Sequence, residues 1–344
     1  MTNSRLQQRK ILITGGAGFL GVHVAQVLAA HGARLLLQDT AHKRPDLLGP
    51  VLRSGQADFV ICDLEALDQS PALTSQLPDV DYVVHLGWRV PASDEPAEQL
   101  ARSLAGNLAP FEQLLARLPR SLKGICLAST LAVYGGPSAE PVAENTPAQP
   151  LTAGAQTKLA MERALLEHGR QTRVPVTVLR FSSLFGPGEA HSPRAVPSFI
   201  RNLLAGEPPV IYGDGGDVYD YLYVTDAARA VLLALEHMED APGIYNIGSG
   251  YGWTTRAVAE TIQRLAQMAV PPKHMPARGP RQSLIADIGR AAARLQFCPE
   301  TPLEAGLAAE IAYCRSQALA GSELTAPDGA HGLLMRPAVP TAVR

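Results

Sequence analysis

At 344 residues, 46% hydrophobic and 18% charged, the chain can bury a large core as one large or two intimate domains. A formal net charge of −2 with interspersed signs argues against nucleic acid or an acidic membrane surface as partner. No apolar run approaches the ~20 residues of a membrane span, and the polar start "MTNSRLQQRK" predicts no signal peptide and a cytoplasmic protein.

Short apolar runs alternate with helical patterns through the first half. "KILIT" leads into glycines, and "GVHVAQVLAAHG" follows with apolar residues at helical spacing and a glycine stop at Gly32. "ARLLLQD", "ADFVICD", "DYVVHLG", "KGICLAST" and "VPVTVLRFS" are further strand candidates. Helical segments such as "AEQLARSLAGNLAPFEQLLARL" separate most of them. Strands apolar on both faces and alternating with helices predict a parallel sheet covered on both sides. From Phe185 the chain turns Gly- and Pro-rich. The expected fold is therefore α/β, a Rossmann-type doubly wound sheet with a smaller C-terminal substrate-binding lobe. Residues 1–184 form the Rossmann domain, with a returning segment near 217–247. The discontinuous lobe covers 185–315, and the Ala-, Pro- and Gly-rich stretch 316–344 is expected to be a flexible tail. Cys62, Cys126, Cys298 and Cys314 are scattered and form no CxxC pair, so reduced thiols and no metal site are expected.

"ITGGAGFLG" puts Gly15, Gly18 and Gly21 between the first strand and the first helix. Glycine there permits a tight turn, close approach of backbone to a pyrophosphate, and helix–strand packing, while the helix N-terminus offers free N–H groups. Asp39 ends the next strand, eighteen residues after Gly21. A carboxylate there accepts from both ribose hydroxyls and repels a 2′-phosphate, so NAD(H) is expected and NADP(H) disfavoured.

With these motifs in order from about Lys10 to Cys314, the chain resembles the extended, atypical short-chain dehydrogenases/reductases, the NAD-dependent epimerase/dehydratase family. "CDL" (Cys62 to Leu64) is similar to the stretch whose aspartate contacts the adenine amine, and "HLGW" (His85 to Trp88) to the one lying against the cofactor. Asn107 sits where the family carries an asparagine in its central helix. "STLAVYG", "LRFSSLFGPG", "YGDGGDVYDYLYVTDAARA", "YNIGSG" and "LIADIGRAAARL" complete the likeness. The resemblance implies cofactor contacts at Gly15, Gly18, Phe19, Leu20, Gly21, Asp39, Asp63, Leu64, Leu86 and Lys158. It also implies a cytoplasmic homodimer through a four-helix bundle built from about Glu98 to Leu118 and Thr152 to His168. Leu100, Leu104, Leu108, Leu159 and Leu166 could serve that bundle or the protein's own core.

The family's chemistry implies a tyrosine to move the proton, a lysine four residues later to lower the tyrosine's pKa and hold the ribose, and a Ser/Thr to orient the substrate oxygen. Residues four apart share a helix face. Thr130 and Lys158 match as catalytic residues, but "LTAGAQTKLAMERAL" has Gly154 at the tyrosine's place. Tyr134 belongs to the strand-end motif and is expected to be structural. His191 is a candidate replacement acid. Losing a positioned general acid typically costs ~10²–10⁴ in rate, while orientation and proximity survive. Substrate contacts are expected at Thr130, Ser183, His191, Tyr219 and Arg281. Ser183 and Tyr219 stand where the family usually has an asparagine and an arginine, and a tyrosine cannot supply the arginine's charge to phosphates. Arg278 shares the basic loop of Arg281.

The function expected on these grounds is NAD(H)-dependent hydride transfer at a hydroxyl or carbonyl carbon of a small, natural-product-like substrate. One alternative is a sugar-nucleotide epimerase or dehydratase with a substitute acid/base, in which Gly154→Tyr should raise turnover. Another is a non-catalytic NAD-binding sensor or scaffold.

Overall fold

The computed structural model describes residues 4–90, 96–138, 140–189, 192–277 and 283–319. The first half alternates strand and helix: β1 (Lys10–Thr14), α1 (Phe19–Ala30), β2 (Arg34–Asp39), α2 (Pro45–Arg53), β3 (Ala57–Ile61), the single turn α3 (Pro71–Thr74) and β4 (Tyr82–His85). Next come α4 (Pro96–Ser103), a π-helical turn Leu104–Leu108, α5 (Ala109–Arg117), β5 (Gly124–Thr130), α6 (Ala153–Thr172) and β6 (Val176–Phe181). After β7 (Ser183–Phe185), α7 (Ala195–Leu204), β8 (Val210–Tyr212) and β9 (Val218–Tyr223), the chain returns through α8 (Val224–Glu236) to β10 (Gly243–Ile247). It ends with β11 (Gly252–Thr254), α9 (Thr255–Ala266), β12 (Lys273–Met275), β13 (Ser283–Leu284), α10 (Gly289–Leu295) and α11 (Leu303–Leu319).

Seven strands pair in parallel in the order β10-β6-β5-β4-β1-β2-β3. Successive side chains on a strand face opposite ways, and both faces here are dry. Ile11, Ile13, Leu35, Leu37 and Val84 join α1 and α8 in one core. Leu12, Leu36, Val83, Ile125 and Leu127 join α5 and α6 in another, through Phe111, Leu114, Met161 and Leu165. Each fully buried Leu or Ile contributes roughly 1.5–3 kcal/mol, which accounts for the strands reading as unbroken apolar runs. The order reverses at β1, whose neighbours are β2 and β4, and a crevice opens beyond the carboxyl ends of these strands.

A third core unites Phe185, Phe199, Ile200, Ile211, Tyr221, Ile262, Leu307 and Ile311, from β7 to β9, α7, α9 and α11. There β9 pairs with β7, β11 and β13, while β8 pairs with β12. The first residues of the expected tail continue α11 to Leu319, and 320–344 lie outside the described residues. All four cysteines are free, and burial pushes the Cys126 thiol up to about 12, as befits a core residue. No described helix is long and apolar enough to cross a membrane.

Candidate active site

The glycine turn after β1 is shaped by contact. Gly15 has φ +69°, and a Cβ there would lie 2.8 Å from Gly87 N, while one at Gly21 would fall 2.2 Å from the Gly15 carbonyl oxygen. Such positions leave room for glycine alone, and the close packing brings α1's N-terminus against the strand ends. Beyond them lies a cleft of about 530 Å³, lined among others by Gly15, Gly18, Phe19, Leu20, Asp39, Asp63, Leu64 and Leu86. Gly21 supports the turn from behind.

Asp39 sits at the end of β2, 4% exposed. Its carboxylate accepts from Ala17 N (3.2 Å), Thr40 N (2.7 Å) and Lys43 Nζ (2.6 Å). Arg44 donates to the carbonyls of Ala17 and Gly188. The two cations nearest the expected ribose are thus committed to protein oxygens, an arrangement poorly suited to a 2′-phosphate. Asp63 caps the turn Leu64–Gln69 by accepting from Glu65 N (3.1 Å), and its other oxygen receives the Arg89 guanidinium.

Lys158 and Gly154 lie on α6, started by Thr152, whose hydroxyl accepts from Ala155 N. The Lys158 ammonium donates to the Ala128 carbonyl (2.8 Å) and lies 4.6 Å from the centre of the Trp88 ring. Burial pulls its pKa from 10.5 to about 8, with Glu162 one turn further pulling the other way. Lys158 is not among the residues lining the cleft; Trp88 is. His85 is buried, its Nδ1 2.8 Å from Thr14 Oγ1 and its ring on Phe111. Burial and the Lys158 charge lower its pKa to about 3, so it is neutral.

The Tyr134 phenol is locked in a buried chain. It donates to Asn246 Oδ1 (2.7 Å) and accepts from Arg180 Nη1 (2.9 Å), while Arg180 also grips the Glu162 carboxylate (2.6 Å). Both lone-pair and proton are used, which fits the structural role expected of it.

A second cavity, about 310 Å³, opens at the carboxyl ends of β5 and β6, next along the same sheet edge. Thr130, Ser183 and Tyr219 line it, with Leu131, Ser182, Arg194 and Asp220. Thr130 Oγ1 accepts from Ala132 N (3.2 Å) and retains its own proton for donation. Asp220 is fully engaged, accepting from Ser249, Gly250 and Ala286. His191, Arg278 and Arg281 lie outside the described residues.

Trp88, the last residue of the "HLGW" stretch expected against the cofactor, does line the cleft, whereas Arg89 and Arg194 were missed as lining residues, because each reaches its cavity through tertiary contacts that leave no periodic signal. It noted Asn107 without a task. Asn107 accepts from Arg89 N (2.7 Å) and donates to Arg89 O (2.9 Å), clasping the loop after β4.

Sheet order, glycine turn and acidic strand end together define a dinucleotide-binding protein of the Rossmann type. The model of the NAD dependent epimerase/dehydratase family matches residues 11–248. The chain belongs to that family. It is 26% identical over 317 residues to the UDP-glucose 4-epimerase of Lactobacillus helveticus, covering 85% of this chain and 92% of the relative. The structure of Thermotoga maritima UDP-glucose 4-epimerase with UDP-glucose is similar with a TM-score of 0.78 and 28% identity, over 90% of this chain and 99% of that one. A UDP-glucuronic acid 4-epimerase from Bacillus cereus, in complex with UDP-glucuronic acid and NAD, gives a TM-score of 0.79 at 25% identity, over 89% and 99%.

Proposed function

We propose that this protein is an NAD-dependent enzyme of the extended short-chain dehydrogenase/reductase type that acts on the sugar of a sugar nucleotide. The observation that carries the proposal is the pair of cavities on one sheet edge: the dinucleotide cleft beyond β1 and β4, and the cavity at Thr130 beyond β5. NAD held in the cleft would supply the hydride-accepting ring. The glycine turn and the α1 N-terminus would hold the pyrophosphate and Asp39 would accept from the adenosine ribose hydroxyls, while Lys158, bonded to the Ala128 carbonyl beside the Trp88 ring, would stand nearest the second ribose. Thr130 would donate to the substrate oxygen and, with no phenol at position 154, the substrate's hydroxyl proton would pass to solvent as the hydride leaves the carbon.

The relatives' substrates support this reading over the less charged, natural-product-like substrate that Ser183 and Tyr219 suggested, since the chain spans 92–99% of their lengths. The absence of a side chain at Gly154 is a departure that lowers the expected rate without removing hydride transfer. We further assign a homodimer through α4, α5 and α6 in the cytoplasm. Leu100, Leu104 and Leu166 are partly exposed there, whereas Leu159 is buried with Leu131 and Val133 and belongs to the protein's own core.

The test is incubation of the purified protein and NAD with UDP-glucose, UDP-glucuronic acid and dTDP sugars, followed by NMR of the sugar. Formation of an epimer or a dehydrated sugar supports the proposal. NAD binding without turnover of any of them supports a second reading, a non-catalytic NAD-binding protein, which the lack of a side chain at Gly154 favours.

A further inference from the structure

One cation reaches the cavity at Thr130. Among the described residues that line it, Arg194 is the only base and Asp220 the only acid, and both Asp220 oxygens already accept hydrogen bonds. Arg194 immediately precedes α7, yet its side chain makes no capping bond to that helix. A cation at the N-terminal end of a helix opposes the helix dipole, so the start of α7 gives no reason for an arginine. Nor does packing, since the side chain is 48% exposed.

The guanidinium is nevertheless held in place. Its Nη2 pairs with the carboxylate of Glu189, a side chain only 2% exposed. Its central carbon lies 5.8 Å from the centre of the Phe19 ring, on the wall of the neighbouring dinucleotide cleft. A guanidinium carries five N–H donors in a rigid fork, and Glu189 occupies one of its nitrogens. A buried acid thus aims an exposed cation into a cavity whose other groups bring no charge that is not already engaged.

We infer that Arg194 is a substrate-binding residue whose guanidinium takes the diphosphate of the sugar nucleotide, supplying from the start of α7 the charge that Tyr219, in the same cavity, does not. The inference rests on the sugar-nucleotide reading above. NAD also carries a diphosphate, but Arg194 lines the Thr130 cavity and is not among the residues lining the dinucleotide cleft, where the glycine turn faces the ligand. Glu189 acts in two opposed ways: it directs the guanidinium, and its own charge offsets the attraction for an anion. Removing that charge while keeping an acceptor oxygen should therefore tighten binding.

The test is calorimetry on the full chain in excess NAD, with UDP-glucose, UDP and dTDP as separate ligands. R194M should bind each ligand that wild type binds roughly tenfold or more weakly, as for lost charged hydrogen bonds. Its NAD affinity, titrated alone, should stay within about threefold of wild type, the limit for sites that share no contact. R194K keeps the charge without the fork and should lose less than R194M. The Glu189 carboxyl, pushed up to about 7 by burial, is ionised at about pH 8, and there E189Q should bind the same ligands about threefold or more tightly. An arginine that serves only to pair with Glu189 gives no such gain. Wild-type affinity in R194M, unchanged or weaker binding by E189Q, or a loss with UDP-glucose but not with UDP overturns the inference. So does a loss confined to NAD, which would give the guanidinium to the dinucleotide's own diphosphate. If wild type binds NAD but none of the three ligands, the sugar-nucleotide reading falls and the role of Arg194 with it. If wild type binds them and R194M binds them equally well, the role of Arg194 falls alone.

Discussion

Replacing Lys158 by Met should make the protein more stable and less able to bind NAD. Lys158 is 9% exposed, and burial is the main cause of the fall in its pKa from 10.5 to about 8. That difference corresponds to about 3 kcal/mol by which the fold disfavours the ammonium relative to water. At about pH 7 the lysine is protonated both folded and unfolded, so the whole penalty acts. Methionine has similar length and no charge. It loses the contact with the Trp88 ring, on the order of 1–2 kcal/mol, and the bond to the Ala128 carbonyl, about 1 kcal/mol more, leaving a net gain of at most about 1 kcal/mol. The sign with pH follows from proton counting. Between about pH 8 and 10.5 the folded chain has released the proton and the unfolded chain still holds it. The lysine protein therefore gains stability across that window, and its deficit against K158M closes. Urea denaturation at about pH 7 and about pH 10 reads both quantities, and calorimetry should show NAD affinity down roughly tenfold or more, as for a lost charged hydrogen bond. A K158M protein less stable than wild type, by an amount that does not change with pH, would refute the reasoning.

Asp39→Asn should weaken NAD binding roughly tenfold and NADP binding less, narrowing the ratio of the two affinities in parallel titrations. Gly21→Ala places a methyl 2.2 Å from the Gly15 carbonyl oxygen, so NAD binding should be lost and the melting temperature lowered, overpacking alone costing about 1–3 kcal/mol. Glu310 is buried near Glu189, and burial first, then the Glu189 charge, push its carboxyl from 4.5 up to about 9. The folded chain holds that proton where the unfolded chain has lost it, so wild-type stability should fall as pH rises from about 4.5 towards 9. Glu310→Gln should flatten that slope and be the more stable protein at about pH 9; identical slopes in denaturation series would exclude the assignment.

The glycine turn and the strand ends were readable because backbone geometry dictates them. Gly15 and Gly21 have no room for a Cβ, and Asp39 and Asp63 stand at the ends of strands whose apolar runs mark their limits. Tyr134 was readable as structural from its motif, though not its partners Arg180 and Asn246, which come from β6 and β10. What stayed hidden depends on side chains meeting across elements. Trp88 and Gly154 are 66 positions apart and meet only because β4 and α6 flank the same crevice. Glu189 and Glu310, from the loop after β7 and from α11, are likewise brought together only by the packing of the lobe. Leu159 looked equally fit for a dimer face and a core, and the packing of the segment after β5 puts it in the core.

Isothermal calorimetry of NAD against the purified full chain, with Asp39→Asn as comparison, tests the central claim most directly. Saturable binding of one NAD per chain, weakened roughly tenfold by the substitution, is the predicted result. No binding of NAD, or equal affinity in both proteins, would contradict it.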